Sequence, residues 1–193
     1  MLMKKRLCLL MMFCCVSAAY CIPGGDEVKG TMANGEVKES KARQKAEDKA
    51  LENKLCGKPC PEFVLTDTDG KLWTNNGLKG KVTLINIWHV YCESCIRWMP
   101  QLNELMKKYP ETNFLSMTFN TSEQINETII KKHPLSHQLP NAVNFISKAG
   151  ISVTPMSLLI DKSGKIRYVI RGGEEKQYKL LSKRLKELSK EVM

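Results

Sequence analysis

The chain has 193 residues, with 30 Lys and Arg against 20 Asp and Glu, 42% hydrophobic content and eight cysteines. That length fits one domain with appendages, and the apolar fraction excludes a wholly disordered chain. Paired cysteines in a chain long enough to bury a core also exclude a disulfide-stapled miniprotein. The net charge of +10 would suit nucleic acid, but it is unevenly spread, with Lys4, Lys5 and Arg6 crowded at the start.

Those three cations precede an apolar run at residues 7–16 and the small residues Ser17, Ala18 and Ala19. Positive, apolar, then small is the order of a secretory signal peptide. The run is about half the length that a membrane-spanning helix needs. Residues 1–19 therefore read as a signal peptide, which places the mature chain in the periplasm or cell envelope and argues against nucleic acid as a partner. Two processing routes stay open. Cleavage after Ala18 or Ala19 leaves five cysteines, an odd number that flags an unpaired thiol. Cleavage before Cys21 would put a lipid anchor there and leave Cys56, Cys60, Cys92 and Cys95, although Tyr20 stands where such signals want a small residue.

Residues 20–54 read as a charged, helix-favouring tether. Residues 22–54 hold seven Lys and Arg and seven Asp and Glu, with early glycines and no aromatic residue. With no apolar stripe to bury, a helix here would be solvated, and the absence of apolar a and d positions excludes a coiled coil. The first six residues carry +3 and the tether is balanced, so +7 remains on residues 55–193.

From residue 55 onward short strands alternate with helices. Residues 62–66 and 71–73 flank the turn-forming Asp67, Thr68, Asp69 and Gly70 and predict a hairpin. Residues 82–88 form an almost unbroken β-branched and apolar run, expected of a central strand covered on both faces. Ile96, Met99, Leu102, Leu105 and Tyr109 recur at helical spacing. A strand at 114–119, a polar helix at 122–132 and a weaker helix at 142–148 come next. Strands at 156–160 and 165–170 then lead to a closing helix with Tyr178, Leu181, Leu185, Leu188 and Val192 on one stripe. The order predicts an α/β domain around one mixed sheet.

The chemistry concentrates in Trp88-His89-Val90-Tyr91-Cys92-Glu93-Ser94-Cys95. A CxxC between an apolar strand and an amphipathic helix puts its first cysteine at the helix N-terminus, where unpaired N–H groups and the macrodipole favour an anion. Lowering a thiol pKa from about 8.5 to about 7 takes roughly 2 kcal/mol, which those terms can supply. The second cysteine, one turn along, can attack a mixed disulfide at the first. Cys92 is thus the candidate nucleophile and Cys95 the resolving thiol. A structural disulfide remains an alternative, as does half of a zinc site completed by Cys56 and Cys60.

Beyond spacing, the chain resembles the thioredoxin-like family, in its envelope-facing TlpA/ResA branch, over residues 57–190. The likeness rests on Gly57-Lys58-Pro59-Cys60-Pro61-Glu62-Phe63, Leu78-Lys79-Gly80-Lys81-Val82, the CxxC segment, and Met99-Pro100. It continues in Val153-Thr154-Pro155 and Leu159-Ile160-Asp161-Lys162-Ser163-Gly164-Lys165. The resemblance implies a thioredoxin fold, a mixed central β-sheet flanked by helices, with the N-terminal β-hairpin as an extension. It implies a cis Pro155 against the CxxC, with Thr154 and Pro155 as a ledge for substrate backbone and Trp88 counted among the substrate-binding residues. Pro100 is expected to kink the active-site helix.

The departures matter. Asn86 stands where thioredoxins carry a buried acid, and Trp98 where ResA-type proteins place a Glu. His89 replaces a usually small residue and is a candidate modulator of Cys92. Glu93 opposes thiolate formation at Cys92 and so favours the disulfide over the dithiol. Ser94 in place of Pro also bears on the potential. His133 and His137 are given no role. Cys56 and Cys60 stay open among structural disulfide, second redox pair and ordinary thiols.

The expectation is an exported thiol–disulfide oxidoreductase that reduces disulfides in envelope proteins and is recharged by a membrane dithiol donor. Cytochrome c maturation is one role the family suggests. No cofactor beyond the Cys92–Cys95 disulfide and no metal are expected. The rival readings are an envelope copper or zinc chaperone using Cys92, Cys95 and a histidine, and a non-catalytic thioredoxin-fold interaction module.

Overall fold

Five strands pair in the order β5-β4-β3-β6-β7, with the central β3 (Thr83–Trp88) parallel to β4 (Asn113–Thr118) and antiparallel to β6 (Met156–Ile160). The outer strands are β5 (Gln138–Leu139), parallel to β4, and β7 (Ile166–Arg171), antiparallel to β6. Residues 32–125, 135 and 137–191 are described by this structure, a computed structural model. The signal peptide at 1–19, Cys21 and the larger part of the polar helix expected at 122–132 fall outside them. Among the described residues no helix is long and apolar enough to cross a membrane.

Every residue of β3 is buried, as its unbroken apolar run predicts, because layers cover both faces of the sheet. On one face Leu84 and Trp88 pack with α2 (Glu93–Lys108) and α4 (Glu175–Lys190) through Met99, Leu102, Leu105, Leu181 and Leu185. On the other, Ile85 and Ile87 pack with α3 (Val143–Ala149), with Phe63 and Trp73, and with the end of α1 (Met32–Leu55). The hairpin forms as expected from β1 (Val64–Thr66) and β2 (Leu72–Thr74), a separate antiparallel pair. Its buried Asp67 carboxylate accepts from the Trp73 indole at 2.9 Å and pairs with the His137 ring at 2.8 Å, fastening the hairpin to the sheet edge.

Helix α1 differs from the fully solvated helix that its composition suggests. Most of it is exposed, but Leu55 is buried and Leu51 packs on the core. Arg171 on β7 meets Glu47 at 3.4 Å and Asp48 at 2.6 Å. Two leucines one turn apart suffice to seat a helix end, although they make no long stripe. Gly57, at φ +81, then turns the chain so that its amide donates to the Ile166 carbonyl at 2.7 Å. The helix ends at Leu55.

Candidate active site

The site forms at the sheet end where β3 gives way to α2. A turn links them: the Cys92 amide donates to the His89 carbonyl at 3.0 Å, with Val90 and Tyr91 at its centre. Cys92 is the N-cap of α2, and its sulfur accepts from the Cys95 amide at 3.2 Å. That amide is one of the donors a helix start leaves unpaired, so it is available to a thiolate. Cys92 and Cys95 are joined in a disulfide with Cα atoms 5.1 Å apart. Cys92 is 7% exposed and Cys95 1%, so the first cysteine offers the accessible sulfur and the second lies beneath it. Ser94 Oγ is 3.4 Å from the Cys92 sulfur, a second neutral polar neighbour.

The Thr154–Pro155 peptide bond is cis. Antiparallel pairing of Ile87 with Met156 brings Pro155 level with Trp88, at the end of the sheet that carries Cys92. The Gly172 amide donates to the Pro155 carbonyl at 2.9 Å. Thr154 is half-buried and reachable, whereas Trp88 is completely buried and offers no surface to a substrate. Helix α2 runs uninterrupted through Pro100.

The modulating residues are less direct than their positions in the sequence suggest. Glu93 is exposed and ion-paired with Arg97 one turn on, so its charge is compensated and solvated. His89 stacks on Phe119, with ring centroids 5.4 Å apart and planes at 30°. Of the three residues between β3 and Cys92 it alone could carry a positive charge. Asn86 is buried under α2, with Nδ2 donating to Ser116 Oγ at 3.5 Å and Ser157 opposite it in register. Trp98 is completely buried and rests on Gly173, where an added Cβ would come within 2.6 Å of Trp98 Cγ.

Two contributions have no sequence signal. Asn120, buried at the end of β4, accepts from the Val90 amide at 3.1 Å, and Gly173 seats Trp98. A lone Asn after a strand and a Gly before a helix are too common to mark a site. Tyr91 and Phe119, exposed at 84% and 47%, add an aromatic rim.

Cys56 and Cys60 are free thiols in the core layer on the opposite face of the sheet. Burial pushes the Cys60 thiol up to about 12. Burial, assisted by Glu52, raises that of Cys56. The four cysteines therefore do not converge as a zinc site. Among the described residues one group could bring three ligand atoms together, Asp67, Asp69 and His137. There Asp67 already accepts from Trp73, the Lys71 and Asp69 amides and His137.

Comparison with known proteins follows the same lines. The family model described as Redoxin matches residues 55–184. A thiol-disulfide oxidoreductase ResA from Bacillus thuringiensis subsp. konkukian is 32% identical over 127 residues, covering 63% of this chain and 72% of that protein. A Chlorobium tepidum structure assigned as a thiol:disulfide interchange protein DsbE superposes with a TM-score of 0.63 at 18% identity, over 69% of this chain and 96% of that one. The thioredoxin domain of a thiol-disulfide oxidoreductase from Bacteroides vulgatus gives 0.59 at 21% identity, over 67% and 97% of the two chains. At these identities the two structures establish the fold.

Proposed function

The chain belongs to the redoxin family as a thioredoxin-like, ResA/TlpA-type thiol–disulfide oxidoreductase, and from that premise we propose that it acts outside the cytosol as a disulfide reductant. Export rests on the cation, apolar and small-residue order of residues 4–19. The proposed substrates are disulfide-containing envelope proteins, and Thr154 and Pro155 are the proposed ledge for their backbone.

In the proposed cycle the reduced protein carries a thiolate at Cys92. It attacks a substrate disulfide, forming a Cys92–substrate bond and releasing one substrate thiolate, which takes up a proton. Cys95 loses its proton and attacks the Cys92 sulfur, releasing the second substrate thiolate and closing the Cys92–Cys95 disulfide. Two electrons pass to the substrate, and the oxidised protein is the form seen here. A membrane dithiol donor, oxidised to its own disulfide, would restore the dithiol.

The observation that carries the direction is the set of groups around Cys92. Its sulfur meets neutral donors, the Cys95 amide and Ser94 hydroxyl, while the loop's one ionisable base stacks on Phe119. A strongly oxidising couple requires a specially stabilised reduced form, and neutral donors hold a thiolate less firmly than a cation does. Glu93 adds little to this balance, because Arg97 offsets its charge. The test is trapping: Cys95→Ala should accumulate a one-to-one mixed disulfide with a model disulfide peptide, and Cys92→Ser should form none. Absence of the adduct from reduced Cys95→Ala would sink the cycle.

A further inference from the structure

We infer that Asn120 is a positioning residue for the redox turn, holding Cys92 in register with the thiolate-stabilising amide of Cys95. The inference rests on Cys92 being the attacking thiol. The turn from His89 to Cys92 is closed by one internal bond, Cys92 amide to His89 carbonyl. The amide of Val90, its second residue, takes no part in that closure and needs an acceptor from elsewhere in the fold. Asn120 Oδ1 supplies it at 3.1 Å.

Asn120 is itself firmly held. The same Oδ1 accepts from the Thr118 hydroxyl at 2.9 Å, and Nδ2 donates to Gln124 Oε1 at 3.2 Å. Its amide donates to Thr118 Oγ1 at 3.2 Å and its carbonyl accepts from the Asn141 amide at 2.9 Å. Next to it, Phe119 takes the His89 ring. Two successive residues at the end of β4 therefore grip the two residues leaving β3. This tie crosses between parallel strands 30 residues apart in sequence and fixes where the helix N-terminus begins. Without it the turn can swing, and the 3.2 Å contact from the Cys95 amide to the Cys92 sulfur loses its alignment.

The experiment is pH-dependent alkylation of reduced full-length protein by iodoacetamide, with Cys92 followed by mass spectrometry, together with the rate of reduction of a model disulfide. Asn120→Ala should move the Cys92 midpoint up towards that of an ordinary thiol and slow reduction at neutral pH on the order of ten-fold or more. Asn75→Ala is the matched control. Asn75 likewise pins backbone, accepting from the Phe63 amide and donating to the Cys60 and Pro61 carbonyls, but at the hairpin. It should lower the unfolding midpoint and leave the Cys92 profile where it is. Asn120→Asp keeps the acceptor and adds a negative charge, so its midpoint should rise and its dithiothreitol equilibrium should shift towards the disulfide.

A wild-type profile in Asn120→Ala, or equal shifts in Asn120→Ala and Asn75→Ala, would overturn the assignment. Should Asn120→Ala not fold, a wild-type Cys92 profile in Asn120→Ser, whose shorter side chain cannot span to the Val90 amide, would overturn it instead. If Cys92 of the wild-type protein is not the thiol that reacts, the underlying cycle fails, and that outcome is separate from the others.

Discussion

Two pairs of cysteines share this domain, and their surroundings differ in each respect that governs thiol reactivity. Cys92 and Cys95 sit where a strand gives way to a helix, with an amide on the outer sulfur and a disulfide between them. Cys56 and Cys60 lie under the opposite face of the sheet as free thiols, with burial raising the pKa of each. A thiolate needs donors more than it needs a second cysteine. The outer cysteine at the helix start has them, whereas Cys60 in the core has burial alone acting on it and Cys56 has the raising charge of Glu52 beside it. Cys60 is thus a small hydrophobe in this fold, and Cys56, four residues earlier, is half-buried beside the Val169 backbone.

The sharpest way to break this contrast is to remove each pair in turn. Cys92→Ser should reduce disulfide-reductase activity to background, whereas Cys56→Ser with Cys60→Ala should retain it; activity lost in the second variant would make the core pair catalytic. Packing beneath the site gives the next largest effect. Trp98→Ala empties a fully buried indole under α2 and should cost about 3–5 kcal/mol in urea unfolding. Gly173→Ala forces a Cβ onto Trp98 and should cost about 1–3 kcal/mol. An unchanged urea midpoint in either would contradict the seating of Trp98. Cys60→Ser puts a hydroxyl into the core and should cost about 1–3 kcal/mol, more than Cys56→Ser at its partly open position.

The smallest effect concerns pH. Burial raises the Asp67 carboxyl pKa, but the bonds from Trp73, the Lys71 amide, His137 and the Asp69 amide outweigh it and hold the group below its usual value. A carboxyl depressed in the folded state contributes stability above its unfolded pKa and loses it as pH falls through the folded value. That contribution should therefore be complete at pH 7 and disappear in the range below about pH 4. Asp67→Asn should flatten the decline of the urea midpoint in that range; an equally steep decline would place its origin elsewhere.

Much of the fold was legible because its signals are local. The unbroken apolar run of β3, the turn residues 67–70 and the leucine stripe of α4 each require one kind of element, and each is found. The outer position of Cys92 follows from its place ahead of a helix. What the sequence does not display are contacts that depend on distant strands meeting: Asn120 with Val90, Gly173 with Trp98, Arg171 with α1. Glu93 shows the converse. Beside Cys92 in sequence, it is turned along the helix to Arg97 in space, because residues four apart share a helical face. Trp88, next to the loop in sequence, is covered on all sides.

The central claim is that Cys92 and Cys95 form a reducing couple, and the most direct measurement is their reduction potential. It should be read by dithiothreitol and glutathione equilibrium in a Cys56→Ser, Cys60→Ala background, so that only this disulfide exchanges. The disulfide should exchange readily, at a potential below about −200 mV and towards the thioredoxin range of about −270 mV. A value above about −150 mV, approaching the strongly oxidising range near about −120 mV, would contradict it and make the protein an oxidant.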